Sequence, residues 1–276
     1  MNQEIHELIA SDGLKLFSQS WTTERKPKAL VVIIHGVGEH SGRYAHVAKV
    51  FNENRFHVFS FDQRGHGKSE GPRGHTPSTK QLMYDIIKAI HVAKETFGTE
   101  LPVFLYGHSL GALEVLYFGT TIQEELKGII ATSPPLDLSS TPKSKIILAK
   151  IINPILPKLT LSNGLDTNAL SRDTTVVEAY RADPLVHDQI SARLGYFVIT
   201  GPGKIMAAAP KWHYPLLLMH GTEDRLCGIK GTDALFEKMQ GDITYKRWEG
   251  LYHETHNEPE KEEVIQAMVD WIKARI

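Results

Sequence analysis

Apolar and polar residues alternate in blocks along this chain, and the blocks have two periods. Short apolar runs, typical of parallel strands covered on both faces, lie at 29–34, 57–61, 103–106, 128–132, 215–219 and 243–248. Apolar residues recur at helical spacing over 77–97 and 260–276. Upstream, 5–9 and 14–17 flank a Ser-Asp-Gly turn signal and predict a hairpin. The alternation predicts an α/β fold with a mostly parallel central sheet and helices on both faces.

One segment interrupts this alternation. No strand of the βα kind is predicted between 137 and 206, and such a stretch is too long for a simple loop. We interpret it as a helical cap inserted over the strand ends; the alternative is a peripheral decoration. The predicted organisation is a core in two parts, 1–137 and 207–276, with the cap insertion at 138–206.

The apolar run at 103–106 leads directly into Gly-x-Ser-x-Gly at 107–111, and a helix-compatible segment follows. This order is that of a nucleophile elbow, a tight turn that lifts a serine hydroxyl out of the sheet. Gly107 and Gly111 suit such a turn because they lack a Cβ atom. Ser109 is therefore the candidate nucleophile.

A serine hydroxyl needs a base, usually a histidine that a carboxylate orients. In chains with this elbow the acid and then the histidine follow the serine. Asp224 follows the strand at 215–219, and His253 follows the strand at 243–248. Either residue alone is compatible with a structural role, but this order and placement favour a catalytic triad of Ser109, Asp224 and His253. Glu223 is the reserve acid and His256 the reserve base.

An oxyanion hole requires two backbone N–H groups that point at the developing negative charge. One is expected from Leu110, the residue after the serine, and the other from the loop after the third strand. That loop reads His-Gly-Val-Gly-Glu-His at 35–40, and its glycines allow the N–H of Val37 to turn into the site.

Composition excludes several other classes of function. The chain has 276 residues, 41% of them hydrophobic, and a formal net charge of −1, so a nucleic-acid partner is not expected. Its histidines do not form a His-Glu-x-x-His motif, and neither a metal nor an organic cofactor is predicted. The Gly-His-Gly-Lys-Ser stretch at 65–69 fails as a phosphate loop because position 62 is an aspartate.

Cys227 is the only cysteine, which excludes an intramolecular disulfide and favours a reducing cytosol. It follows Asp224 by three residues, so we expect a bulky thiol reagent at Cys227 to block the site; the alternative is a small buried apolar residue. The first residues are polar and acidic, and no signal peptide is predicted. The apolar stretch 146–161 contains lysines and prolines and is too interrupted to span a bilayer. The expected location is cytoplasmic.

Together, the stretches at 35–44, 107–111, 224–227 and 252–253, with 170–172 and 183–185 in the cap, resemble the monoacylglycerol lipase family of serine α/β-hydrolases. The resemblance covers nearly the whole chain. It implies the α/β-hydrolase fold, hydrolysis of monoacylglycerol to glycerol and a fatty acid through an acyl-enzyme, and an apolar tunnel for one acyl chain. It also implies a polar pocket for glycerol, lined by Glu39, Arg43, Tyr44, His108, Tyr180 and His256. The chain departs from the family pattern at 112–114, where Leu113 and Glu114 stand in place of small residues.

Two alternatives use the same machinery: a lysophospholipase and a general short- or medium-chain carboxylesterase. A non-catalytic binder with this fold is disfavoured because no triad member is missing, and a halide-dependent perhydrolase because of the large apolar cap. Within 146–161 and just before it, Lys145, Lys150 and Lys158 are interspersed with apolar residues. That pattern favours peripheral contact with lipid aggregates or a membrane surface; an ordinary cap helix packed on the core explains it equally well.

Overall fold

A twisted central sheet organises the computed structural model, which describes residues 2–139 and 143–276. Its strands and those of a small second sheet are, in chain order, β1 (Asn2–Ile9), β2 (Lys15–Thr22), β3 (Ala29–Ile34), β4 (Phe56–Phe61), β5 (Val103–His108), β6 (Gly128–Thr132), β7 (Thr160–Ser162), β8 (Gln189–Ser191), β9 (Leu216–Gly221) and β10 (Ile243–Trp248). The central sheet has the order β1-β2-β4-β3-β5-β6-β9-β10. Strands β1 and β2 pair antiparallel, as do β2 and β4. All other pairs in this sheet are parallel.

Helices cover both faces of the sheet. They are α1 (Ala45–Glu53), α2 (Thr79–Phe97), α3 (Leu110–Thr121), α4 (Lys143–Ile155), α5 (Thr174–Ala182), α6 (Ala192–Ala208), α7 (Lys230–Lys238) and α8 (Lys261–Lys273). Apolar residues of α2 and α3 share one buried cluster with the sheet, and those of α1 and α8 share the other. The predicted α/β-hydrolase fold, with its mostly parallel sheet between two helical layers, is confirmed.

Strand β3 illustrates why the parallel strands are continuously apolar in sequence. All six of its residues are buried. Val31 and Ile33 pack into the cluster with α1 and α8, whereas Leu30, Val32 and Ile34 pack into the cluster with α2 and α3. Since successive side chains point to opposite faces and both faces are covered, no position on this strand favours a polar residue.

The chain between β6 and β9 leaves the central sheet. It contains α4, α5 and α6 together with β7 and β8, which pair antiparallel through Thr160 and Ser191. The sequence did not predict this two-stranded sheet. Helix α6 packs on α3, where the rings of Tyr117 and Phe197 meet edge to face at 5.4 Å. Residues 140–142 of the predicted cap insertion at 138–206 lie outside the described residues.

None of the helices in the described ranges has the length and apolar character that crossing a bilayer requires.

Candidate active site

Ser109 lies at the sharp turn between β5 and α3 with φ 53° and ψ −117°. A non-glycine residue with positive φ is strained and persists only where its surroundings enforce it. The surroundings here are backbone: a Cβ atom on Gly107 would lie 2.2 Å from the Gly111 carbonyl oxygen, and one on Gly111 would lie 2.1 Å from that of Ile34. Both flanking glycines are therefore required, and the turn leaves the serine at the first turn of a buried helix.

His253 and Asp224 are in direct contact below this turn. Nδ1 of His253 lies 2.7 Å from Oδ2 of Asp224. The other carboxylate oxygen, Oδ1, accepts hydrogen bonds of 2.9 Å from the backbone N–H groups of Leu226 and Cys227. The acid is therefore fixed by its own loop, and Nε2 of His253 remains for a group in the cavity. Glu223, the reserve acid, is exposed and does not take this position.

The charges of this pair support each other. Burial would raise the pKa of Asp224, but the charge of His253 and hydrogen bonds from His220 and His253 outweigh it, so the pKa is below its ordinary value. Burial would lower the pKa of His253, but the carboxylate of Asp224 outweighs this effect and raises the pKa well above 6.5. The carboxylate thus stabilises the imidazolium that forms when the histidine takes a proton.

The two residues predicted to supply the oxyanion hole, Val37 and Leu110, lie near Ser109. Leu110 is the first residue of α3, and the first N–H groups of a helix have no intrahelical acceptor. Val37 lies on the loop after β3 and lines the same small cavity as Ser109. This loop is tied back by Glu39, whose Oε1 accepts a hydrogen bond of 2.6 Å from the N–H of Gly36.

The cavity at Ser109 is narrow. Its wall consists of Gly36, Val37, Glu39, His108, Ser109, Leu165, Leu170, Tyr180, His253 and Glu254. Its free volume is about 10 Å³, and a cavity of that size holds about one water molecule. Leu165, Leu170 and Tyr180 belong to the segment between β6 and β9, whereas the other wall residues belong to the core. The wall is thus formed jointly by that segment and the core.

Among the polar positions implied by the resemblance, Glu39, His108 and Tyr180 line this cavity. Arg43 lies between two carboxylates: its Nη1 donates to Glu39 at 2.6 Å and to Glu254 at 2.7 Å, and its Nη2 donates to Glu254 at 2.8 Å. The guanidinium also lies 4.7 Å from the centre of the Tyr180 ring. Arg43 thus holds the polar wall together.

The other two implied positions lie one layer deeper. The hydroxyl of Tyr44 donates a hydrogen bond of 2.8 Å to Glu39, and the ring of His256 stacks on Tyr44 at 5.1 Å. His256 packs edge-on against His108, and neither of its ring nitrogens has a hydrogen-bond partner among the described residues. Burial lowers the pKa of His256 well below its ordinary value and that of His108 to about 3. Both rings are therefore neutral, and His256 does not reach Ser109 as a base.

The sequence analysis missed Glu254 and the role of His220. Glu254 follows His253 directly, is 2% exposed and lines the cavity. Its partner Arg43 is 211 residues away, so no local pattern indicates that this charge is buried. The Nε2 atom of His220 lies 3.1 Å from Oδ2 of Asp224. Its position at the end of β9, four residues before Asp224, was the available signal.

Cys227 is buried close to the predicted triad. Burial raises the pKa of its thiol, and the nearby charge of His253 opposes that rise. The backbone N–H of Cys227 donates to Oδ1 of Asp224 at 2.9 Å, so we expect a bulky adduct on this side chain to reach the cavity.

Comparisons with known proteins agree with this fold and arrangement. The family described as serine aminopeptidase, S33, matches residues 25–260. The chain is 33% identical to a monoglyceride lipase of Rattus norvegicus, over 99% of this chain and 92% of the rat protein. It is 37% identical to an uncharacterized abhydrolase domain-containing protein of Dictyostelium discoideum, of which it spans 30%. The crystal structure of a Paleococcus ferrophilus monoacylglycerol lipase superposes with a TM-score of 0.87 at 38% identity, covering 95% of this chain and 99% of that one.

Proposed function

Because the chain belongs to the monoglyceride lipases within the serine aminopeptidase S33 family, we propose that it hydrolyses monoacylglycerols to glycerol and a fatty acid through an acyl-enzyme on Ser109. The observation that carries the proposal is the 2.7 Å contact between His253 and Asp224. His253 lines the same cavity as Ser109, whose backbone is strained.

In the first half of the reaction, His253 takes the proton of Ser109 as the serine oxygen attacks the ester carbonyl. The N–H groups of Val37 and Leu110 hold the oxyanion; each such donor lowers the barrier by about 3 kcal/mol. Asp224 orients His253 and stabilises its charged form. The imidazolium then protonates the departing glyceryl oxygen, which leaves the acyl group on Ser109.

In the second half, a water molecule enters where glycerol left. His253 takes a proton from this water as it attacks the acyl carbonyl, the same two N–H groups hold the second oxyanion, and the proton returns to Ser109. The polar wall around Glu39, His108 and Tyr180 accommodates the glycerol hydroxyls. We place the acyl chain in an apolar tunnel under the segment 138–206, which acts as a cap. The reaction needs no cofactor.

The cap also carries a surface suited to lipid. Exposed apolar side chains cluster on α4 and the chain after it: Ile147, Leu148, Ile151, Ile155, Leu156, Leu159 and Leu161. Lys150 and Lys158 are exposed among them, whereas the side chain of Lys145 lies outside the described residues. Apolar side chains interspersed with lysines bind an interface by burial and by attraction to anionic lipids. We therefore infer that this surface contacts lipid aggregates while the cap admits substrate.

A substrate profile tests the proposal. Values of kcat/KM are measured for 1-oleoylglycerol, for lysophosphatidylcholine with the same acyl chain, and for p-nitrophenyl esters of several chain lengths. The proposal expects 1-oleoylglycerol to be the best of these substrates and Ser109→Ala to lose hydrolysis of all of them. A preference for lysophosphatidylcholine supports the lysophospholipase alternative, and a preference for short p-nitrophenyl esters supports the carboxylesterase. Near-parental rates in Ser109→Ala overturn the mechanism itself.

A further inference from the structure

Two buried carboxylates share one guanidinium beside Ser109. Glu39 and Glu254 are each 2% exposed, and both line the cavity. Arg43 donates one hydrogen bond to Glu39 and two to Glu254. The remaining hydrogen-bond donors to these carboxylates are neutral: the N–H of Gly36 and the hydroxyl of Tyr44 for Glu39, and the side-chain amide of Asn257 for Glu254. The Glu39–Arg43–Glu254 cluster thus carries a net charge of −1.

Neighbouring groups do not cancel this charge. Burial would raise the pKa of Glu254, but the charge and hydrogen bonds of Arg43 outweigh it and lower the pKa, so Glu254 is ionised. The imidazoles of His108 and His256 are neutral because burial lowers both pKa values. When His253 becomes positively charged during the reaction, the carboxylate of Asp224 beside it balances that charge. The alcohol part of a substrate therefore meets a negatively charged wall.

This charge selects among alcohol groups. The hydroxyls of glycerol are neutral donors, and carboxylates accept their hydrogen bonds at little cost. A phosphate on the same glycerol would face like charge beside two buried carboxylates, where such repulsion is weakly screened. We propose that Glu254 is a specificity-determining residue that excludes esters whose alcohol part carries a phosphate, so that the enzyme accepts uncharged glyceryl esters and rejects their phosphorylated counterparts. This inference rests on the proposed function.

A purely structural role for Glu254 gives a different expectation. Its carboxylate also fixes Arg43, and its N–H donates to the carbonyl oxygen of Leu170 at 2.8 Å, so it helps to hold the loop that carries His253. Loss of that support would slow the hydrolysis of charged and uncharged esters alike. Loss of charge selectivity instead changes the ratio of the rate for uncharged esters to the rate for charged esters. The ratio of two kcat/KM values therefore separates the two roles.

The experiment uses the full chain with 1-oleoylglycerol and 1-oleoylglycerol 3-phosphate, each in micelles of one neutral detergent. We expect the parent to prefer the uncharged ester by at least about 100-fold, and Glu254→Gln to narrow this ratio on the order of tenfold. Glu249→Gln removes the same charge from an exposed position on the same loop and is the matched control. Its ratio should equal that of the parent. An unchanged ratio in a folded Glu254→Gln variant overturns the proposal.

A second comparison needs no variant. The dimethyl triester of 1-oleoylglycerol 3-phosphate is uncharged and larger than the phosphate monoester. If charge is the cause of exclusion, the parent hydrolyses the triester faster than the phosphate monoester. If size is the cause, the parent hydrolyses the triester more slowly than the monoester, and this result contradicts the proposal. Failure of the parent to hydrolyse 1-oleoylglycerol, while p-nitrophenyl esters are cleaved, would overturn the proposed function rather than the charge effect.

Discussion

Nδ1 of His253 lies 2.7 Å from Oδ2 of Asp224, and the carboxylate more than offsets the effect of burial on the pKa of the imidazole. A general base acts only in its neutral form. Since the pKa of His253 is raised above 6.5, kcat/KM should increase with pH along a limb whose midpoint lies above that value.

Replacing the carboxylate tests this relationship. In Asp224→Asn the charge that raises the pKa of His253 is gone while burial, which lowers it, remains. We expect the rising limb of kcat/KM to move to lower pH and kcat to fall about 10⁴-fold. The measurement is the pH profile of 1-oleoylglycerol hydrolysis, with circular dichroism at each pH to establish that the variant is folded. If the rising limb of kcat/KM lies at the same pH in the parent and in Asp224→Asn, Asp224 is not the acid that acts on His253.

Glu114 on α3 is a buried acid whose Oε1 has no hydrogen-bond partner in residues 2–139 and 143–276. Burial, followed by the charge of Asp85, raises its pKa well above 4.5. Because the folded chain holds this proton while the unfolded chain releases it near pH 4.5, stability should decline as the pH rises from there toward the raised pKa. This loss of stability is complete above the pKa of Glu114 in the folded chain and absent below its pKa in the unfolded chain.

Glu114→Met removes the acid at nearly the same length. We expect the free energy of unfolding in urea to increase by roughly 1–3 kcal/mol at about pH 8, with a smaller gain at about pH 5. Glu95→Met, at an exposed position on α2, is the control and should change stability by less than about 0.5 kcal/mol. A gain independent of pH would mean that packing rather than ionisation accounts for the change.

Cys227 provides a chemical probe of the cavity. A large maleimide on this thiol should abolish ester hydrolysis because Cys227 lies beside the predicted triad, with its backbone N–H bonded to Asp224. The reaction should be slow, since the side chain is buried and its pKa is raised by burial. Cys227→Ala should retain hydrolysis and resist the reagent. Complete labelling, confirmed by mass spectrometry, with turnover intact would place Cys227 away from the substrate.

The lipid surface of the cap is tested by flotation with vesicles that contain anionic phospholipid. Ile151→Ser combined with Ile155→Ser removes two side chains that are 55% and 69% exposed, and should reduce the vesicle-bound fraction without loss of hydrolysis of a soluble p-nitrophenyl ester. Ile5→Ser, on a residue of β1 that is 68% exposed, is the control for general loss of apolar surface. Absence of binding by the parent would remove the membrane contact from the account.

Much of the fold could be predicted because its strands carry a strong local signal. All six residues of β3 and of β4 are buried; β3 is apolar throughout, and β4 is apolar except for His57 and Ser60. Helices α1 and α7 and the pair β7–β8 were missed. Helix α1 is short and partly exposed. Strands β7 and β8 have three residues each and pair across a long insertion, so their stability comes from contacts that neighbouring residues do not reveal.

The site residues also include some that the sequence could predict and others that it could not. Ser109, Asp224 and His253 could be named because each follows a recognisable strand and the three occur in a fixed order. Glu254 could not, because burial of a charge depends on its partner, and Arg43 is distant in sequence. The placement of Tyr44 and His256 behind the cavity wall also depends on packing, here the stacking of their rings.

Covalent labelling with a fluorophosphonate tests most directly whether residues 109, 224 and 253 act as one unit. The phosphonyl group reacts with a serine only when a base activates it and an oxyanion hole holds the product. The account predicts a single adduct on Ser109 by peptide mass spectrometry, none in Ser109→Ala, and much slower labelling in His253→Ala and Asp224→Asn. An adduct on another residue, or equal labelling rates in the parent and His253→Ala, would contradict it.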